Sequence, residues 1–172
     1  MAPRAWSPAP DVRIAVTEED LDAHHAIRRA VFVEEQGIFE DHDRDDWDDV
    51  AVKVVAVAGG RLVGAVRLYR LDEAGLWKGD RLAVLRDARR LRVGAPLVRF
   101  AVATAGARGG GRMIARIQAR NVAFFQHLGW TTVGDLRDYR GASHQDMTIP
   151  LVAAGQEVGE IDLGWALGGA GA

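Results

Sequence analysis

The stretch Arg81 to Ala107, RLAVLRDARRLRVGAPLVRFAVATAGA, holds the residues best suited by type and spacing to do chemistry. It reads as a strand, a basic loop and a helix beginning at Gly94. The first turn of a helix has N–H groups without intrahelical partners and a partial positive charge, so it takes phosphate well. Gly94 lets the main chain approach an anion, and Arg89, Arg90 and Arg92 add charge and donors. Together these suit a pyrophosphate. On spacing alone, solvated arginines before an ordinary helix fit the same residues equally well.

A second concentration of charge is acidic. Between Glu34 and Asp49 lie nine carboxylates, Glu34, Glu35, Glu40, Asp41, Asp43, Asp45, Asp46, Asp48 and Asp49, against Arg44 alone. Such a run is ordinarily a solvated surface; beside a cleft it would attract a cationic amine. Asp41, Asp43 and Asp45 imitate the start of a calcium loop. Asp46 stands where the turn glycine belongs and Val52 where the last glutamate belongs, so no metal is expected.

The elements that must position these groups follow from periodicity and punctuation. Asp11–Val16 alternates as a strand. Thr17 can cap a helix with Glu18, Glu19 and Asp20 in its first turn, running to about Glu35 and ended by Gly37. On that helix His24 and His25 are expected at the surface. Val50–Ala58 is almost continuously apolar, Gly59-Gly60 signals a hairpin, and Arg61–Leu71 is the partner strand. Leu76–Val84 gives a third strand, followed by an arginine-rich loop to Val93 and a helix over Gly94–Ala107. Arg112–Gln118 is a strand, Asn121–Leu128 a short helix with His127 at its C-terminal end, and Trp130–Leu136 and Gln145–Leu151 close the order. Strands alternating with helices imply an α/β sheet covered by helices.

Composition sets the outer limits. The chain has 172 residues, enough for one domain with a substantial core, and 48% hydrophobic content. It has no cysteine, which excludes disulfides, thiolate metal sites and a cysteine nucleophile. A formal net charge of −2 argues against nucleic acid as a partner, and no apolar run is long enough for a membrane. Residues 1–10 read as a flexible lead-in, 11–152 as the single folded domain and 153–172 as a Gly/Ala-rich tail. A cytoplasmic protein is expected.

Four blocks in order resemble the GNAT acetyltransferases. The segment RLAV, then Arg89 through Gly94-Ala95, is similar to the family's coenzyme A-binding motif, with Arg92 standing where a glycine is usual. Asn121-Val-Ala-Phe-Phe-Gln-His-Leu-Gly129-Trp130 resembles the helix that follows, and Gly141-Ala-Ser-His144-Gln-Asp-Met147 the closing strand. Arg28-Arg-Ala-Val-Phe-Val-Glu-Glu-Gln36 is similar to one GNAT branch, and a bacterial branch linked to nitrogen starvation is one place for it.

The resemblance implies a mixed, mostly antiparallel sheet of six to seven strands flanked by about four helices. It also implies acetyl-CoA or another acyl-CoA as cosubstrate, a small-molecule or protein amine as acceptor, and leaves a homodimer open. It places Leu82, Ala83, Val84, Arg89, Arg90, Leu91, Arg92, Val93, Gly94, Ala95, Asn121 and Phe125 along the donor. Arg28, Phe32 and Glu34 fall on the acceptor side.

Acyl transfer to an amine needs a polarised carbonyl, a deprotonated amine and a leaving thiolate that is stabilised or protonated. His144, Glu34, Glu35 and Asp80 are candidate bases; an imidazole accepts a proton near neutral pH. Many members of the family have a tyrosine where this chain has Phe125, so Tyr139 or water must serve as acid. His144, Glu35 and Tyr139 form the catalytic set. Two other readings stay open: an acyl-homoserine-lactone synthase-like enzyme, from Arg28 to Phe32 and the acidic segment Glu40–Asp46, and a noncatalytic acyl-CoA sensor, from Phe125 and Arg92.

Overall fold

The computed structural model describes residues 9–151. The lead-in, apart from its last two residues, and the tail lie outside them. The described elements are β1 (Asp11–Ile14), α1 (Glu18–Arg28), β2 (Val52–Ala58), β3 (Arg61–Arg70), β4 (Leu76–Val84), α2 (Gly94–Ala107), β5 (Arg112–Gln118), α3 (Val122–His127), β6 (Thr131–Tyr139) and β7 (Ala142–Pro150). One sheet runs β1-β2-β3-β4-β5-β7-β6, and only β4 and β5 are parallel.

Local chemistry explains most boundaries. Thr17 Oγ1 accepts from the Asp20 N–H at 3.1 Å and starts α1, whose first turn is acidic. Gly59 and Gly60 both have positive φ, +59° and +75°, as the tight turn between β2 and β3 requires. After Arg28 the helix continues as a π-helical turn through Glu35. The arginine-rich loop after β4 contains a 3₁₀ turn, Arg86–Leu91, and the acidic run contains another, Asp46–Asp49, capped by Asp45.

The last two strands are longer and differently bounded than periodicity indicates. β6 runs to Tyr139 through an irregularity between Val133 and Arg137, and β7 begins at Ala142. A break in register interrupts alternation, so the pattern of residues stops before the strand does.

The core lies chiefly between the sheet and α2. Leu97, Val98, Ala101 and Ala105 of α2 pack with Val54, Ala56, Val66, Met113, Ala115 and Met147. Gly64 of β3 makes this close: a Cβ there would sit 2.7 Å from Leu97 Cδ1. On the opposite face Ile27 and Val31 pack against Ala65 and Ala83.

One expectation on this second face is corrected. His24 is fully buried, with Nδ1 3.2 Å from the Val54 carbonyl and Nε2 3.3 Å from Arg28 Nη1. The guanidinium is a donor only, so it gives its proton to Nε2, and the Nδ1–H donates to Val54. Burial first, and the Arg28 charge second, push the His24 imidazole down to about 3.

Candidate active site at the split between two parallel strands

β4 and β5 are paired only from Leu76 to Lys78 against Arg112 to Ile114. Both strands continue, to Val84 and Gln118, without further pairing. The separation has a visible cause in β4. Ala65 faces Ala83 and Arg67 faces Asp80, so Arg81 and Leu82 together oppose Val66. Arg81 takes φ +54° at this bulge. An extra residue bends β4 away from β5, and a cavity of about 140 Å³ that opens to solvent occupies the gap.

The cavity has two halves. Toward α2 it is apolar, with Leu82, Val98, Ala101, Met113, Ala115, Ile117, Phe125 and Trp130. Alternation sends the neighbouring residues of β4, β5 and β7 to the other face, where Arg81, Arg116, Gln118 and His144 line a polar half with Tyr139 of β6, Gln36 and Phe39. Gln118 donates to Gln36 Oε1 at 3.0 Å. His144 is 6% exposed, and its Nδ1 lies 2.9 Å from the Ala142 carbonyl. With the proton on Nδ1 for that bond, Nε2 keeps its lone pair. Tyr139 meets the His144 ring edge-on at 5.6 Å.

The structure gathers some predicted residues and separates others. Leu82, Asn121, Phe125, Phe32, Tyr139 and His144 all line the cavity. Ala83 instead faces the α1 side, and the Val84 carbonyl accepts from Arg89 Nε at 3.3 Å. Val93 is buried beneath α2, while Arg90, Leu91 and Arg92 are exposed around the turn before it. Arg92 adopts φ +54°. That left-handed conformation is the physical reason a glycine suits this position.

Gly94 opens α2, and among the described residues no side chain caps it. Pro96 has no N–H and Leu97 N–H bonds to Val93, so Gly94 and Ala95 hold the unpartnered amides.

Three predicted roles are corrected. Arg28 does not line the cavity; it is fully buried, with Nε 2.7 Å from Asp43 and Nη1 2.6 Å from Asp48. Glu35 lies in a separate shallow depression with Glu34, Val31 and Arg61. Both its oxygens pair with Arg89 at 2.6 Å, which holds its carboxyl below the usual range. Glu34 sits 3.5 Å from Arg29 at the surface.

The acidic run is also not a free anionic surface. Asp43, Asp45 and Asp48 turn inward to Arg28, Arg67 and Arg81. This pairing also removes Asp43 and Asp45 from any calcium loop.

Sequence reasoning missed Arg81 and Arg116 as cavity residues. Their signal was a charged side chain inside a strand, in LWKGDRLAV and in RMIARIQ. A strand whose interior charge is buried needs a partner or a ligand for it.

The sheet thus opens beside its parallel pair, and a helix N-terminus without a side-chain cap follows the bent strand. Residues 16–130 match the model of the Acetyltransferase (GNAT) family, and the chain belongs to that family. It is 28% identical over 122 residues, 71% of its length and 86% of the relative's, to YjcF of Bacillus subtilis (strain 168), described as an uncharacterized N-acetyltransferase.

Its fold is similar to that of Escherichia coli ElaA, with TM-score 0.70 and 23% identity over 81% of this chain and 97% of that one. It is also similar to BjaI, a coenzyme A-dependent acyl-homoserine lactone synthase, with TM-score 0.68 and 21% identity over 86% and 84%. The comparisons give the nitrogen-starvation branch no support. Among the described residues no helix is long and apolar enough to cross a membrane.

Proposed function

We propose that the protein transfers an acetyl or other short acyl group from acyl-coenzyme A directly to a primary amine of a small molecule or protein. The observation that carries this is the juxtaposition of a donor-type apolar half with a polar half holding His144, at the point where β4 and β5 separate.

The residues present fit the cosubstrate. Trp130 Nε1 is buried without a partner among the described residues and lines the apolar half, so it has a hydrogen bond to give to the pantetheine arm. The Gly94 and Ala95 amides, with Arg92 beside them, are suited to the diphosphate. Acyl-coenzyme A, when bound, would supply the thioester and a thiolate leaving group. His144 Nε2 takes the amine proton as the new N–C bond forms and the C–S bond breaks. Phe125 has no acidic proton, so the Tyr139 hydroxyl, which accepts from Arg140 Nε at 3.1 Å, gives its own proton to the departing sulfur.

Asp43, Asp45 and Asp48 are engaged internally, so only the exposed Glu40, Asp41, Asp46 and Asp49 of the acidic run remain to attract a cationic acceptor. Calorimetry with acetyl-CoA and a thiol-release assay across an amine panel test the reading. Binding with no turnover on any amine supports a sensor instead. Activity only with S-adenosylmethionine supports a lactone synthase.

A further inference from the structure

We infer that the acceptor is an amine that also carries a carboxylate, such as an amino acid, and that Arg81 and Arg116 form the carboxylate subsite. This rests on the acyl-transfer reading and adds the substrate class.

The charges in the polar half support an anion. Its charged lining residues are Asp80, Arg81 and Arg116. Asp80 is spoken for: Arg67 reaches it through Nε at 2.6 Å and Nη2 at 2.9 Å, and Tyr69 donates to it at 3.1 Å. Behind the wall, Asp43 pairs with Arg28 and Arg81, and Arg67 holds both oxygens of Asp45 at 2.6 and 2.8 Å. Asp48 pairs with Arg28 and Arg67, and Asp146 with Arg116 and Arg137. These carboxylates already answer guanidinium groups and are poorly placed to hold a substrate ammonium.

On the guanidinium side one buried donor is left unanswered among the described residues, Arg81 Nη1. Arg81 is 5% exposed; its Nε and Nη2 bond the Asp43 carbonyl at 3.2 and 3.0 Å, Nε also lies 3.2 Å from Asp43 Oδ2, and Nη2 reaches Asp45 Oδ2 at 3.4 Å. Its Nη1 is buried with no hydrogen-bond partner among the described residues, and the Asp80 oxygen near it stands 3.9 Å away. A buried guanidinium N–H left unpaired is costly, and a carboxylate oxygen is its strongest neutraliser. Arg116 lines the same half and gives Nε to Asp146 at 3.2 Å.

Cations are also concentrated through Phe39. Arg81 lies 4.8 Å from its ring centre and Arg140 4.5 Å. An incoming carboxylate held here leaves its amine free for His144. The carboxylate takes no part in bond making: the amine nitrogen gains the acyl carbon and loses one proton, and the coenzyme leaves as the thiol.

The test uses the full-length protein with acetyl-CoA and matched trios: an amino acid, its amide and its decarboxylated amine, for small, aliphatic and aromatic side chains. The expected result is kcat/KM for the carboxylate form at least about tenfold above both partners, the scale of one charge-assisted hydrogen bond. Arg81→Lys keeps the charge but loses the planar donors, and the ratio within that variant should shrink. If it does not fold, the wild-type trios still decide.

Amides or decarboxylated amines used as well as the acids would overturn the subsite and leave acyl transfer standing. If acetyl-CoA binds but no amine turns over, the transfer reading falls. The subsite is then judged by titrating N-acetyl amino acids and their amides into the coenzyme A-loaded protein, where equal binding overturns it.

Discussion

Arg67 and Asp80 face each other across β3 and β4, joined by two hydrogen bonds, at the last regular pair before β4 takes in its extra residue. The same guanidinium binds Asp45, so one buried arginine ties the acidic segment to the strand that bends to open the cavity. Replacing Arg67 by Met strands Asp80 and Asp45 without their cation. The expected loss is about 3–5 kcal/mol of stability, read from urea unfolding. A variant that also converts both aspartates to asparagine should recover part of it.

Gly94 is a position where ligand approach and folding separate. Its φ is not positive, and a Cβ there would find only Phe124 Cζ at 3.6 Å, an ordinary contact. Gly94→Ala should therefore melt at nearly the wild-type temperature. Acetyl-CoA affinity by calorimetry should fall about tenfold, the value of one charge-assisted bond to phosphate. Equal affinity would remove this helix start from the donor site.

Arg92 separates conformation from charge. Its left-handed φ of +54° costs about 1 kcal/mol that glycine would not incur. Arg92→Gly should unfold at the same or slightly higher urea concentration. If the guanidinium contacts phosphate, acetyl-CoA binding should weaken and its salt dependence should decrease.

His144→Gln removes the proposed base and should lower kcat by about 100-fold or more, the usual range for general acid–base catalysis. KM for acetyl-CoA should move far less. A kcat within a few-fold of wild type would exclude His144 from proton transfer.

Acid sensitivity should start at the histidines of α1. Burial, with Arg28 next, lowers His24 to about 3 and His25 to about 4. Below about pH 6.5 the unfolded chain binds protons on these imidazoles and the folded chain does not. Stability is therefore complete above that pH and lost as pH falls toward 4, with a slope approaching about 1.4 kcal/mol per pH unit for buried His24. Urea midpoints at about pH 7 and about pH 5 measure it, and His24→Asn should flatten the dependence.

Local rules made the elements legible. The Thr17 cap, the Gly59-Gly60 turn, the helix over Gly94–Ala107 and the strands Leu76–Val84 and Arg112–Gln118 each depend on residues within a few positions of one another. The order of the blocks around them marked the family. Only the tertiary structure decided what the charges do. Arg28 meets Asp48 across 20 positions, Arg67 meets Asp45 across 22, and Arg81 meets the Asp43 carbonyl across 38.

Those meetings depend on strand register and on one bulge, which move whole side-chain sets between faces without changing the local pattern. Three charges of what reads as a solvated acidic run in one dimension, Asp43, Asp45 and Asp48, thus join a framework of buried arginines in three. The Glu35 carboxylate, a plausible base by composition, is held by Arg89 outside the cavity. His144 enters it because β7 lies beside β5.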